Sequence, residues 1–387
     1  MTWEKAVNQA ITLRHWFHQH PELTWQEEHT AKKIRDCLDD WGIEWRACAI
    51  HGTVATLAPE LPGRHVALRA DMDALPINEQ TGVAFCSTES GKMHACGHDG
   101  HMAALLGTAM WLKNHESKLP GPVSLIFQPA EEGGHGAKKM IEDGALDGID
   151  VIFGWHNWPA IPYGKAVCPD GAVMSGNGSF HIQVKGLGGH ASQPEACRDP
   201  VLAAAAITLN LQQIVSRKLP PQASAVVSVT RLNADSDVTV IPQIVHMAGG
   251  IRISDPKWRA QINELIVQIA EDTAKTYGVE AKVEILPRYE ATINDANAAE
   301  IYRAVLKSEL GEDYSNTELM VPIMASEDFS YYLQKIPGAF ALIGMAENQA
   351  EGQRYHYPCH NPHYEFNDRL IETVMRSFSK LTGLNHA

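Results

Sequence analysis

The stretch HVALRADMDALP, residues 65–76, joins a short apolar run to an acidic loop that ends in a proline. Its first four residues, His65–Leu68, are predicted to form a buried β-strand, because short apolar runs bounded by turn residues are typical of strands in parallel sheets. Further runs of this kind are found at Thr53–Leu57, Val123–Phe127, Asp150–Phe153 and Phe340–Ile343.

Helical stretches separate several of these runs. Apolar residues at helical spacing predict helices at Ala6–His18, from about Thr24 onward, and at Asp99–His115, Asn297–Leu310 and Asn367–Leu381. Because strands that alternate with helices are typical of parallel sheets, the sequence predicts an α/β domain with a mostly parallel sheet.

The pattern changes after the loop signal at residues 175–178. The predicted elements are then strand Ser179–Lys185, helix Asp199–Lys218, strands Ala225–Arg231 and Val245–Ile253, helix Pro256–Tyr277 and strand Ala281–Leu286. This βαββαβ order is typical of a small ferredoxin-like α+β domain. We therefore expect residues 178–289 to be inserted between the two parts of the α/β domain, residues 1–177 and 290–387.

Composition and charge exclude several classes of partner. Lys and Arg total 32 against 46 Asp and Glu, which gives a net charge of −14 and argues against nucleic-acid or anionic-membrane partners. The N-terminal stretch lacks the apolar region of a signal peptide, and the most apolar run, Val201–Leu211, is much shorter than the roughly 20 residues of a membrane span. Seven cysteines without a CxxC pair fit a reducing compartment, so we expect a cytoplasmic protein.

Acidic and imidazole side chains follow three of the predicted strands. Asp71 and Asp73 follow the first, Glu131 and Glu132 follow the second in FQPAEEGG, and His156 follows the third in GWHNWP. In an open α/β sheet, ligands bind beyond the carboxyl ends of the strands. We expect these groups to meet in one crevice.

The segment HACGHDGH, residues 94–101, adds Cys96 and His98 just before a predicted helix. Its glycines let the backbone turn so that both side chains face one point. A thiolate binds a zinc-like metal at about 2.3 Å and has lone pairs enough to bridge two ions. The alternative, a buried cysteine beside a helix-capping histidine, is disfavoured by the three strand ends.

The adjacent glutamates, Glu131 and Glu132, are expected to have different roles, because neighbouring side chains of extended backbone point in opposite directions. One could bind a metal while the other takes the proton from water, as metal-assisted hydrolysis requires. Farther along, the segment YPCHNPHY contributes His360 in a loop held by prolines. Cys359 and His363 are close alternatives, and the residues alone leave the choice open.

These segments together resemble the N-acyl-amino-acid amidohydrolases, which include hippurate hydrolases, bacterial aminoacylases and plant indoleacetyl-amino-acid hydrolases. This group lies within the aminoacylase and carboxypeptidase metallopeptidase superfamily. The resemblance spans residues 14–370 approximately and rests on the segments RADMDALP, MHACGHDGHM, FQPAEEGG, GWHNWP, GLGGHAS, SEDF and HNPHYEFND. It implies a metallopeptidase-like catalytic domain whose inserted domain serves as a lid or in dimerisation.

The resemblance also implies the roles of individual residues. Two divalent ions would be bound by Cys96, His98, Glu132, His156 and His360, with Cys96 as the bridge. Glu131 would be the general base and acid, and Asp73 would orient a ligand. His94 and His101 match positions that do not bind metal. A thiolate, a carboxylate and three imidazoles suit Zn, Mn, Co or Ni.

In the inserted domain, His190 matches a histidine that stabilises the tetrahedral oxyanion and that comes from the other protomer in several dimeric relatives. The resemblance therefore implies a homodimer or a higher oligomer. Arg252 matches an arginine that binds the substrate carboxylate, and a guanidinium suits that role. Thr239 stands where relatives have an asparagine, and its hydroxyl reaches less far.

We therefore expect a metal-dependent amidohydrolase that acts on N-acyl-L-amino acids, small molecules with an acetyl, benzoyl or similar acyl group. The nearest alternative is a dipeptidase or carboxypeptidase with the same two-metal site. A protein that only holds or carries metal would have no use for a base such as Glu131.

Overall fold

The computed structural model describes residues 1–347 and 354–384. Its chain divides into two compact units. The first comprises Met1–Val173, Ile293–Val321 and Asp328–Ala387, and the second comprises Met174–Thr292 and Pro322–Glu327. None of the helices in the described part of the chain is long and apolar enough to cross a membrane.

The elements are numbered in chain order. The helices are α1 Trp3–Gln19, α2 Glu28–Asp40, α3 His98–Asn114, α4 Gly136–Glu142, α5 Pro200–Leu211, α6 Arg259–Thr276, α7 Ala296–Leu310, α8 Ser330–Leu333 and α9 Arg369–Leu381. The strands are β1 Trp45–Cys48, β2 Gly52–Leu57, β3 Val66–Asp71, β4 Val123–Gln128, β5 Val151–Pro162, β6 Ala166–Val167, β7 Gly171–Met174, β8 Gly176–Lys185, β9 Gly189–His190, β10 Ala225–Asn233, β11 Val240–Ile241, β12 Ile244–Ile253, β13 Glu280–Pro287, β14 Thr292–Asn294 and β15 Gly338–Ala346.

A seven-stranded sheet in the order β1-β2-β4-β3-β5-β15-β6 forms the centre of the first unit. Its four central strands, β4, β3, β5 and β15, are parallel. The flanking strands β1, β2 and β6 run antiparallel to their neighbours. The prediction of an α/β domain with a mainly parallel central sheet is confirmed, and the antiparallel pairing of β2 is a local departure from it.

Helix α3 packs against α1, α9 and the strand β3. It is buried on nearly all sides because its sequence is rich in Ala, Leu and Met, so it lies in the core rather than on the surface. Gly97 precedes it with φ +97°, and a Cβ at this position would lie 2.2 Å from Asn157 Oδ1. Only glycine therefore fits where the chain turns from Cys96 into the helix.

The second unit contains a four-stranded antiparallel sheet in the order β10-β12-β8-β13, with α5 and α6 packed on it. Along β8 the residues Phe180, Ile182 and Val184 are buried, and the residues between them are exposed or half-buried. This alternation places one face of the sheet against the two helices. The chain order is βαββαβ, as predicted for a ferredoxin-like α+β domain.

Three local predictions were wrong. Strand β5 extends to Pro162, because β15 pairs with it beyond Phe153, so His156 lies within a strand and not in a loop after it. Helix α2 begins at Glu28, later than the predicted start near Thr24. The helix predicted to end at Lys218 ends at Leu211 and is followed by a π-helical turn.

Candidate metal centre

The groups that were expected to meet do meet within the first unit. The ligand atoms of Cys96, His98 and His156 all lie within 4.8 Å of one another. The ligand atoms of Cys96, Glu132 and His360 form a second group, and they also lie within 4.8 Å of one another. Cys96 is common to both groups, which places its sulfur between two potential cation positions.

The orientation of two histidines fits a metal centre. The Nδ1 atom of His98 donates to the backbone oxygen of Asp73 at 2.8 Å, and that of His156 donates to the oxygen of Asn157 at 2.7 Å. In a neutral imidazole the Nε2 atom then keeps its lone pair for a cation. The buried Nε2 of His98 makes no hydrogen bond to the described residues. The donor set therefore fits divalent ions.

The thiol of Cys96 is hydrogen-bonded to the thiol of Cys359, and this bond together with burial raises the pKa of Cys96 well above its ordinary value. A divalent cation has the opposite effect, because coordination deprotonates a thiol. The sulfur also lies 3.3 Å from His156 Nε2. The chemistry of Cys96 at neutral pH is therefore governed by whether an ion is bound beside it.

The loop that carries the two glutamates is fixed by a buried carboxylate. Asp73 Oδ1 accepts the backbone N–H of Glu131 at 2.9 Å, and Oδ2 accepts that of Glu132 at 3.0 Å. Burial alone would raise the pKa of Asp73, but the imidazole of His98, 3.6 Å from its carboxylate, and the Glu132 N–H that it accepts lower it. Asp73 therefore remains an anion that holds the loop.

The side chains of Glu131 and Glu132 were predicted to point in opposite directions, as they would on extended backbone. The structure differs from this prediction. The chain bends at residues 132–134, where the N–H of Gly133 donates back to the oxygen of Glu131 at 2.6 Å. One carboxylate oxygen of each glutamate lies within 4.8 Å of a ring nitrogen of His98. Both glutamates thus reach one centre.

The geometry separates the three candidates in the loop after residue 357. His360 Nε2 lies 3.1 Å from Glu132 Oε1, and the backbone N–H of His360 donates to the oxygen of Ala95 at 2.8 Å. His363 instead donates its Nδ1 proton to the oxygen of Gln80 at 2.8 Å. Cys359 contacts Cys96 but belongs to neither group of candidate ligands.

A chain of buried side chains behind the centre was not anticipated from the sequence. His101 Nδ1 lies 2.6 Å from Asp71 Oδ1, and its Nε2 lies 2.7 Å from the amide oxygen of Asn157. The amide nitrogen of Asn157 donates to the hydroxyl of Tyr364 at 2.7 Å. Asp71 also lies 3.6 Å from His98 Nε2. The three-residue spacing of His98 and His101 on one helix face was the available signal.

In the second unit, His190 and Thr239 are neighbours on a two-stranded ribbon. Val240 pairs with His190, and the N–H of Ala191 donates to the oxygen of Thr239 at 2.9 Å. The Nδ1 atom of His190 accepts the backbone N–H of Ser192 at 3.1 Å. Since a backbone N–H can only donate, the neutral ring of His190 carries its proton on Nε2.

Thr239 and Arg252 also make polar contacts within the second unit. The hydroxyl of Thr239 is exposed and lies 3.4 Å from Asp237 Oδ1. Arg252 is half-buried on β12 and donates to the hydroxyl of Ser326 at 3.0 Å. Burial and the nearby Arg288 lower the pKa of Arg252.

Together, the α/β sheet and the buried thiol, imidazole and carboxylate groups at the carboxyl ends of its strands define a metal-dependent hydrolase. The chain belongs to Peptidase family M20/M25/M40, whose sequence profile matches residues 67–382. The predicted membership in this superfamily is confirmed. Its relatives include a deacetylase and a hippurate hydrolase, both named for hydrolysis of amide C–N bonds, and this chain is likewise an amide C–N hydrolase.

Individual relatives are similar over most of the chain. The N-acetyl-L-cysteine deacetylase of Bacillus subtilis is 40% identical over 87% of this chain and 80% of its own. The hippurate hydrolase of Campylobacter jejuni is 38% identical over 95% of this chain and 94% of its own. The solved structure of the Bacillus subtilis YXEP protein, described as a dinuclear metal binding peptidase, is 33% identical, covers 98% of both chains and has a TM-score of 0.84.

Proposed function

We propose that this chain is a metal-dependent amidohydrolase that hydrolyses N-acyl-L-amino acids to a carboxylic acid and a free amino acid. The observation that carries the proposal is the position of Glu131, whose carboxylate lies beside the candidate ligand atoms of His98 and Glu132. Its backbone N–H is held by Asp73. The similarity to a deacetylase and to a hippurate hydrolase supports the substrate class.

The residues proposed to hold two divalent ions are Cys96, His98, Glu132, His156 and His360, with Cys96 as the bridge. Its presence in both groups of ligand atoms supports the bridging role. Donor softness allows Zn, Mn, Co or Ni. When bound, such ions act as Lewis acids that make water more acidic and polarise the amide carbonyl.

The protein's own groups would move the protons. Glu131 would take a proton from the attacking water and deliver it to the nitrogen of the leaving amine. Its fixed backbone keeps the carboxylate in place between the two transfers. His190 would donate its Nε2 proton in a hydrogen bond to the oxyanion, a role that the tautomer set by Ser192 supports.

Recognition of the substrate carboxylate is proposed for Arg252 and Thr239. A guanidinium forms two parallel hydrogen bonds to a carboxylate, which suits Arg252. The single hydroxyl proton of Thr239, now directed at Asp237 Oδ1 at 3.4 Å, would be donated to the carboxylate when substrate binds. The exposed position of Thr239 leaves this hydroxyl accessible to a ligand.

The test is hydrolysis of N-acetyl- and N-benzoyl-amino acids, alongside dipeptides, by protein loaded with each metal in turn. We expect metal-dependent release of amino acid from the acyl compounds. The variant Glu131→Gln should lose at least about 100-fold in kcat, because general acid–base catalysis supplies about 10²–10⁴-fold. Its metal content should be unchanged. Cleavage of dipeptides alone would replace this proposal with a peptidase.

Assembly and location complete the proposal. All seven cysteines are free, which supports a reducing, cytoplasmic location.

Leu202 and Leu209 on α5 are exposed, and the edge strand β10 exposes Val226 and Leu232. These apolar groups support a homodimer formed through the second unit. Light scattering coupled to size-exclusion chromatography would test the oligomeric state.

A further inference from the structure

Glu27 is an acidic residue with no exposure to solvent, and its role is not explained by the metal centre. It occupies the N-cap position of α2, yet its side chain makes no capping hydrogen bond to that helix. Instead, Glu27 Oε1 accepts the backbone N–H of Ala130 at 2.8 Å. Ala130 immediately precedes the proposed general base, Glu131.

The loop that receives this hydrogen bond has strained backbone. Ala130 adopts φ +57°, a left-handed conformation that is unfavourable for an L-residue with a Cβ. Such residues persist only where their surroundings hold them. Besides Glu27, a second contact holds the loop, because the N–H of Gly136 donates to the oxygen of Ala130 at 3.0 Å.

The segment that contains Glu27 contacts the loop at its other end as well. The indole nitrogen of Trp25 donates to the oxygen of Gly134 at 3.1 Å. The hydroxyl of Thr24 donates to Asp73 Oδ2 at 2.8 Å, and Asp73 in turn accepts the N–H of Glu132. Trp25 itself adopts φ +64°. Two segments with left-handed residues thus support each other through one buried and two partly buried hydrogen bonds.

We infer that residues 24–27 are a positioning element for catalysis, in which Glu27 holds Ala130 and thereby aims the carboxylate of Glu131. The inference rests on the proposed function, since it assigns Glu131 to proton transfer. Glu27 touches neither substrate nor reacting atoms in this scheme. It acts only through the backbone of the loop, residues 129–134.

The chemical state of Glu27 decides which substitution preserves its role. Burial and the nearby charge of Asp73 raise the pKa of Glu27 to about 8, so it is largely protonated at neutral pH. A neutral carboxyl offers one carbonyl oxygen as acceptor, and the amide of glutamine offers the same. Methionine has a similar length but lacks a strong acceptor. Glutamine and methionine are therefore a matched pair of substitutions.

The experiment compares wild type with Glu27→Gln, Glu27→Met and the control Glu28→Ala, which alters the exposed neighbour. We expect E27M to lose about 10–100-fold in kcat, the range typical of outer hydrogen-bond partners, with KM changed by less than about 2-fold. Bound metal per chain should stay at the wild-type level. E27Q should stay within about 3-fold of wild-type kcat, and E28A should equal wild type.

A second readout does not depend on turnover. Hydrogen exchange of peptides that cover residues 129–134, measured on metal-free protein, should accelerate in E27M and not in E27Q or E28A. If E27M fails to fold, Trp25→Phe removes the other hydrogen bond to the loop and should accelerate the same exchange.

Three results separate the possible failures. Wild-type kcat in E27M, or exchange in the loop that is unchanged in both E27M and W25F, would overturn the positioning role. An equal loss of kcat in E27Q and E27M would also overturn it, because the acceptor would not matter. If wild type hydrolysed no acyl-amino acid while exchange responded as expected, the proposed function would fail and the loop-holding contact would stand.

Discussion

The Nε2 atom of His156 lies 3.3 Å from the Sγ atom of Cys96, deep within the first unit. Both side chains are buried, and the Nδ1 atom of the same ring donates to a backbone oxygen at 2.7 Å. The imidazole lone pair and the sulfur therefore face each other with no proton of the ring between them. Two electron-rich atoms in this arrangement are stabilised when a cation binds to both.

We predict that His156→Ala lowers the affinity for divalent metal by more than the roughly 10–100-fold that loss of an outer hydrogen-bond partner causes. The reason is the loss of one of the proposed direct ligands. Titration of metal-free protein with a competing chelator measures this affinity. His181→Ala, an exposed strand residue, is the matched control. Equal affinity in wild type and H156A would remove His156 from the proposed ligand set.

The loop after residue 357 gives a second prediction. His360→Ala should reduce bound metal from about two ions to about one per chain, because His360, unlike Cys359 and His363, places a ring nitrogen 3.1 Å from Glu132 Oε1. Cys359→Ala and His363→Ala should keep both ions. Elemental analysis of each purified variant gives the ratio directly. A loss of metal in C359A together with full occupancy in H360A would reverse the assignment.

The third prediction concerns pH and stability. His18 is buried and contacts Asp99 at 2.8 Å and Glu79 at 3.2 Å. Burial alone would lower its pKa, but the two carboxylates raise the pKa of His18 to about 9. Because this value lies above that of the unfolded chain, near 6.5, protonated His18 stabilises the fold fully below pH 6.5. That stabilisation is lost as the pH rises through about 9.

His18→Gln should therefore destabilise the metal-free protein by about 3–5 kcal/mol at pH 6.5, since it leaves a buried carboxylate without its strongest partner. Among the ion pairs of the described residues, Asp99 then keeps the one to Arg14, at 3.5 Å. The difference in the free energy of unfolding between wild type and H18Q should shrink between pH 6.5 and 10. Urea denaturation at each pH measures it. A difference that stayed constant over this range would contradict the assigned charge of His18.

The fourth prediction concerns substrate recognition. Thr239→Asn should lower KM for N-acyl-amino acids by about 10-fold, because the longer asparagine side chain can complete a hydrogen bond that the threonine hydroxyl makes only weakly, and a well-formed hydrogen bond to a charged group contributes about 1.5–3 kcal/mol. kcat should change little, since the carboxylate is not a reacting group and its hydrogen bonds are made equally in the bound substrate and in the transition state. Steady-state kinetics on one acetyl-amino acid test this, with Thr230→Asn on β10 as the control. An unchanged KM would exclude residue 239 from the carboxylate contact.

Much of the site was predictable because its residues follow secondary structure in a regular way. Asp73 and Glu131 follow strands of a parallel sheet, and such positions converge at one edge wherever the strands are adjacent. Cys96 and His98 were recognisable from their glycine-flanked spacing before a helix. The direction of the Glu131 and Glu132 side chains was not predictable, because a bend at residues 132–134 replaced the extended backbone that the argument assumed.

The contact between Glu27 and the loop of residues 129–134 was also not predictable from the sequence. Its partner, Ala130, lies 103 residues away and contributes only a backbone N–H. Because every residue except proline has this group, the identity of residue 130 gives no sign of the contact. A glutamate at a helix N-cap, where Ser, Thr, Asp or Asn is usual, was the only local sign. The contact between Asp71 and His101, 30 residues apart, was hidden for the same reason.

The sequence by itself determined the class of fold, the inserted α+β segment and the types of ligand available, because periodicity and local motifs are properties of neighbouring residues. The tertiary structure decided which of His360, Cys359 and His363 faces Glu132, and which buried carboxylates hold the loop of residues 129–134. These choices depend on how distant parts of the chain pack against each other. In a close-packed core that packing fixes the rotamer of each side chain and so the direction in which it points.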